Sequence, residues 1–93
     1  MSKPRMTGEF EIVNPLGLHA RAASKFSNLA NKYKADVWIS KDGTEVNGKS
    51  ILELMQLCAP CESWISFRAR GSDSDVLVAR LADLVEAGFH ESD

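Results

Sequence analysis

Pro15 and Gly17 separate two stretches of different hydrophobic period, and that break constrains the fold more than any other feature of the chain. Before it, Phe10 and Ile12 alternate with Thr7, Glu9 and Glu11 across residues 6–13, the period of a strand with one buried face. After it, Ala22, Ala23, Phe26, Leu29, Ala30 and Tyr33 recur at three- and four-residue spacing, which predicts a helix over 20–33. The chain therefore opens strand, loop, helix, and the loop carries His19 at or just before the first helical turn.

That placement has chemical consequences. The first backbone N–H groups of a helix lack internal partners and, with the positive end of the macrodipole, form an anion site. A phosphate on His19 fits there, with the amides beginning at Ala20 and the planar guanidinium of Arg21 within reach of its oxygens. The same field favours the neutral, nucleophilic imidazole over the imidazolium. By position alone, a histidine near a helix start is more often a surface residue without a task.

The period switches again further on. Ala35, Val37 and Ile39 alternate with Asp36, Trp38 and Ser40 in a second strand over 35–41, and Asp42-Gly43 is a two-residue hairpin signal leading to a third strand over 44–47. Ser50-Ile51-Leu52-Glu53 reads as a capping box opening a short helix over 51–57, whose Ile51, Leu52, Leu54, Met55 and Leu57 leave little polar face. Some of that apolar surface should be exposed for a partner. A fourth strand follows over 63–70, with Ile65, Phe67 and Ala69 inward. A last helix, capped within 72–75, carries Leu77, Val78, Leu81, Leu84 and Val85 as one stripe. Gly88 suits a C′ position with Phe89 folding back, and His90 is assigned no role. Residues 1–5 and 90–93 are expected to fray, leaving one domain over 1–93.

This order gives an α+β, open-faced two-layer sandwich, βαββαβα, with a four-stranded antiparallel sheet and three helices on one face. Periodicity alone leaves a ferredoxin-like regulatory or RNA-binding fold open. Charge narrows the function. The net charge is −2, with +3 in residues 1–50 and −5 in residues 51–93, so the half with His19 is the basic one and suits phosphate or acidic partners rather than nucleic acid. No apolar run approaches a membrane span and no leader opens the chain, so a cytoplasmic location without membrane insertion is expected. Cys58 and Cys61 form a Cys-Ala-Pro-Cys pair, but Cys58 ends the second predicted helix, where the dipole opposes a thiolate. Too few partners remain for a zinc site, so Cys58 is read as a small core residue and no metal or cofactor is expected.

The segment Pro15-Leu16-Gly17-Leu18-His19-Ala20-Arg21-Ala22-Ala23 resembles the active-site segment of the HPr family, the histidine phosphocarriers of the bacterial phosphotransferase system. Val46-Asn47-Gly48-Lys49-Ser50-Ile51 is similar to that family's second functional segment, and the resemblance extends over nearly the whole chain. It implies that His19, assisted by Arg21 and the Ala20 amide, takes a phosphoryl group from enzyme I and passes it to an enzyme IIA domain. It also implies regulatory phosphorylation at Ser50 by an HPr kinase/phosphorylase where one exists, and docking through the apolar face of the second helix, Ile51, Leu52 and Met55; Ser24 and Lys25, read from their position near His19, and Lys49 are further candidate docking residues. Such a protein is a stoichiometric carrier, not an enzyme, and a monomer is expected. The Cys-Ala-Pro-Cys segment, Trp38 and Trp64 depart from the family's usual pattern. The ending Ala87-Gly88-Phe89 is similar to the nitrogen-related branch, so a nitrogen-branch regulatory phosphocarrier and a non-catalytic ferredoxin-like binding module are the alternatives.

Overall fold

The computed structural model describes residues 5–91. Four strands, β1 (Arg5–Glu11), β2 (Asp36–Lys41), β3 (Thr44–Asn47) and β4 (Trp64–Arg70), form one antiparallel sheet in the order β1-β4-β2-β3. Helices α1 (Ala20–Ala30), α2 (Ile51–Gln56) and α3 (Ser74–Glu86) complete the α+β sandwich. β4, the last strand, lies between β1 and β2, so each strand–helix–strand unit is split by the other. Asp42 (φ 52°) and Gly43 (φ 83°) turn β2 into β3 with Lys41 opposite Thr44, the primed turn that an Asp-Gly pair favours.

Alternation decides which sheet face the helices cover. Val37, Ile39, Ile65, Phe67 and Ala69 are fully or almost fully buried, together with Ala22, Ala23 and Phe26 of α1 and Leu77, Leu81 and Val85 of α3. Phe67 is the hub: it stacks on Phe10 at 5.1 Å between centroids and meets the edge of Phe26 at 5.7 Å. Removing so fully buried a ring would cost about 3–5 kcal/mol. The other face is polar. Arg68 lies 4.0 Å above the Trp38 ring and forks onto Glu45 at 2.8 and 2.9 Å, which explains one of the two added tryptophans; Trp64 is 52% exposed.

Several boundaries differ from the sequence expectation, and at α1 and α3 a side chain that captures a backbone group is the reason. Helix α1 stops at Ala30, not at residue 33, because the Asn31 side chain donates to Ser27 O and Lys49 O, and the next amides close three-residue turns onto Leu29 O and Ala30 O. Helix α3 begins at Ser74 without a side-chain cap, since the Asp73 carboxylate accepts instead from the Lys34 and Ala35 N–H groups at 2.9 and 2.8 Å. β1 ends at Glu11, and α2 one residue short of the expected 57. Cys58 is not in the core: α2 has already ended, and Cys58 is exposed in a left-handed conformation (φ 53°). The expected fraying of the C-terminal end is also corrected. A 3-10 turn, Gly88–His90, follows α3, Phe89 is fully buried and Glu91 is anchored; the expectation for residues 1–4 and 92–93 lies outside the described residues.

Candidate functional site

The loop before α1 is built from turn chemistry. Gly17 N–H donates to Asn14 O at 3.0 Å, closing a turn with Pro15 at its second position, and Leu18 N–H donates to Ala59 O at 2.9 Å. Gly17 has φ +68°, and a Cβ there would stand 2.6 Å from Ala59 O and 2.8 Å from Pro60 Cα. Only glycine lets this loop lie directly on residues 59–61.

His19 is the N-cap of α1. Its carbonyl accepts the first helical bond from Ala23 N–H at 2.8 Å, and its Nδ1 accepts from the Arg21 N–H at 3.2 Å, the place a serine or aspartate oxygen usually fills. Its Nε2 lies 2.5 Å from Glu91 Oε2. Because Nδ1 accepts from an amide, Nε2 carries the ring proton and donates it to the carboxylate, which assigns the tautomer from the hydrogen-bond network. Asn14, only 2% exposed, donates from Nδ2 to Gly17 O at 2.8 Å and to Glu91 Oε1 at 2.9 Å. Burial works to raise the Glu91 carboxyl. The hydrogen bonds from Asn14 and His19 and the positive field of Arg21 outweigh it and hold the group below the usual glutamate value.

A shallow groove of about 300 Å³ beside the imidazole is lined by Leu16, Leu18, His19, Cys58, Ala59 and Pro60. A larger cleft of about 510 Å³ lies on the open sheet face between Ser40, Asp42, Trp64 and Ser66, and holds neither histidine nor cysteine. Among the described residues no cluster of His, Cys, Asp and Glu side chains is arranged to hold a metal ion.

The structure places the remaining residues singled out from sequence as follows. Arg21 is exposed beside His19, and Ala20 is the first residue of α1. Ser50 caps α2, its Oγ accepting from Glu53 N–H at 3.2 Å. Glu53 reaches the Asn47 N–H at 3.0 Å rather than that of Ser50, so the expected capping box is only half formed. Ile51, Leu52 and Met55 are 40%, 68% and 42% exposed on α2, while Leu54 is buried. Lys25 and Lys49 spend their ammonium groups on the Phe89 and Tyr33 carbonyls, at 2.6 and 2.8 Å, and Ser24 is half-buried. Sequence reasoning missed Asn14 and Glu91. A buried Phe89 anchors the chain two residues before Glu91, and that apolar residue past the helix end was the one available signal.

Comparison with known proteins bears on this site. The family model described as "PTS HPr component phosphorylation site" matches residues 6–87. The chain is 42% identical over 83 residues to the phosphocarrier protein HPr of Neisseria meningitidis, covering 89% of this chain and 93% of that one. It is 32% identical over 88 residues to the phosphocarrier protein NPr of Shewanella violacea, covering 95% and 97%. The crystal structure of HPr-C-His from Thermoanaerobacter tengcongensis superposes with a TM-score of 0.89 at 35% identity, covering 96% and 99% of the two chains. With the fold, the loop and these matches in agreement, the chain belongs to the HPr family of phosphotransferase-system phosphocarrier proteins.

Proposed function

We propose that His19 is the phosphoryl acceptor, charged by enzyme I and discharged to an enzyme IIA domain, and that the protein acts as a stoichiometric carrier. The observation that carries this reading is the pair of contacts on the imidazole: Nε2 is occupied by Glu91, and Nδ1 presents its lone pair to the helix N-terminus. Nδ1 is then the nucleophile. It attacks the phosphorus of the donor phosphohistidine, the donor nitrogen leaves with its electron pair, and the new phosphoryl group takes the position Nδ1 now directs toward the Arg21 N–H. Its oxygens meet the first amides of α1, beginning at Ala20, and the Arg21 guanidinium, both placed where charge accumulates. No protein-held metal is needed in this scheme, because the transfer runs between two phosphohistidines.

Exposed Leu16, which lines the groove beside His19, and exposed Ile51, Leu52 and Met55 on α2 offer apolar surface for docking. Ser24, Lys25 and Lys49 would form its polar rim, with the lysines positioned by the carbonyls they bind. Ser50 opens α2 at the edge of that surface, and phosphorylation there by an HPr kinase/phosphorylase would add charge where an acidic enzyme I must dock.

Incubation with enzyme I and phosphoenolpyruvate, followed by peptide mapping, tests the assignment. The label should be acid-labile, base-stable and confined to the peptide containing His19. A hydroxylamine-sensitive acyl phosphate, or a label on another residue, would refute it. Discharge onto sugar-branch or nitrogen-branch enzyme IIA in the same assay separates the two branches.

A further inference from the structure

We infer that Glu91, held by Asn14, is a positioning residue for His19 that fixes the ring tautomer and carries the positive charge developing on the ring during phosphoryl transfer. This rests on the carrier reading for its purpose, but not for its geometry. The Glu91 side chain is 8% exposed, although it lies at the end of the chain, 72 residues from His19. Three anchors put it there. The Phe89 ring is fully buried, Lys25 Nζ holds the Phe89 carbonyl at 2.6 Å, and Asn14 donates to Glu91 Oε1 at 2.9 Å. Phe89 and His90 both take φ +58°, a conformation that side chains with a Cβ disfavour, and the result is a tail that returns to the imidazole.

Asn14 shows what its own side chain is for. Both its amide hydrogens go to acceptors, Gly17 O and Glu91 Oε1, while Oδ1 is buried with no partner among the described residues. A flipped amide would set Oδ1 against a carbonyl or a carboxylate, so the orientation is fixed by what it donates to. The other oxygen of Glu91 is thereby committed to His19 Nε2.

The chemistry follows from the proton count. Attack by the Nδ1 lone pair forms an N–P bond while Nε2 keeps its hydrogen, so the ring becomes cationic as the donor nitrogen departs with the bonding pair. The carboxylate already accepts that Nε2 hydrogen and stabilises the cation. In the reverse half-reaction the same charged ring is the better leaving group, and the Nδ1 pair returns as the N–P bond breaks. One carboxylate thus serves loading and unloading, while Arg21 attends to the phosphoryl oxygens.

Glu91→Gln is the test, because it keeps the shape, loses the charge and can either accept from or donate to Nε2. Nitrogen-15 NMR of the unphosphorylated protein reads the His19 tautomer without any partner, and phosphoramidate as a small-molecule donor reads nucleophilicity without enzyme I. The wild type should populate the Nε2–H tautomer. Glu91→Gln, which leaves only the Arg21 N–H to hold the tautomer, should weaken that preference and accept phosphate from phosphoramidate about five- to tenfold more slowly, the difference between a charged and a neutral hydrogen bond. Either an unchanged tautomer or an unchanged rate overturns the inference. If His19 proves not to be enzyme I's target, the tautomer result still decides whether Glu91 positions the ring.

Discussion

Replacing Gly17 by alanine separates two costs that the structure predicts to be independent. At φ +68° an L-residue pays about 1–2 kcal/mol for the left-handed conformation. The new Cβ also meets backbone, with Ala59 O at 2.6 Å, Pro60 Cα at 2.8 Å and Cys61 N at 3.1 Å, none of which can rotate away. Overpacking of that kind adds about 1–3 kcal/mol, so the total is about 2–5 kcal/mol. Gly43 supplies the control: it has φ +83° with nothing within 4 Å of a built Cβ, so Gly43→Ala should show only the conformational cost of about 1–2 kcal/mol. In a domain of this size about 4–8 °C of melting temperature corresponds to each kcal/mol. Thermal unfolding by circular dichroism should therefore place Gly17→Ala at least about 4 °C below Gly43→Ala. Gly43→Asn should recover most of the Gly43 loss, because asparagine tolerates the left-handed region. Equal melting temperatures for the two alanine variants would refute the claim that the His19 loop rests on residues 59–61.

Three further outcomes are expected. Ser50→Ala should lose about 1 kcal/mol with the cap, whereas Ser50→Asp should fold as well as wild type yet accept phosphate from enzyme I more slowly; equal transfer by the Asp variant would leave Ser50 a cap and nothing more. Arg21→Lys should slow transfer more than it weakens enzyme I binding, since the charge survives and the planar fork does not, and an unchanged rate would make Arg21 a bystander. The Lys34 N–H foremost, with that of Ala35, holds Asp73 below its usual 3.8, and Glu91, despite its burial, is held below its usual 4.5 by Asn14 and His19. Folding that depresses a carboxyl adds stability above the unfolded value and loses it as pH falls through the folded one. Asp73→Asn and Glu91→Gln should therefore flatten the acid limb of melting temperature against pH below about 4.5. An unaltered acid limb in both variants would contradict these assignments.

What the sequence made legible was whatever depends on local period and turn chemistry. Val37, Ile39, Ile65 and Phe67 lie inward as their alternation implies, and Asp42-Gly43 turns β2 into β3. The exposure of Ile51, Leu52 and Met55 followed from a helix too short and too apolar to bury every side chain. What stayed hidden were choices made across long sequence separations. Apolar spacing runs on to Tyr33, but the Asn31 amide ends α1 by binding a carbonyl 18 residues away. A cap for α3 was expected within residues 72–75, but the Asp73 carboxylate there takes two amides 38 and 39 residues away. Glu91 belongs to no periodic pattern, and its place against His19 depends on Phe89 being buried. Cys58 was misjudged because residue type and a nearby helix suggested burial, while the chain there has already turned outward to lie beside the His19 groove.

The central claim is that one imidazole carries the phosphoryl group. Intact mass spectrometry of the wild type and His19→Ala, each incubated with enzyme I and phosphoenolpyruvate, tests it most directly. The wild type should gain the mass of one phosphoryl group, and His19→Ala, folded to a melting temperature near that of wild type less its cap contribution of about 1 kcal/mol, should gain none. Phosphoryl gain by a folded His19→Ala variant, or no gain by the wild type with an enzyme I that charges a known carrier of this family, would contradict the account.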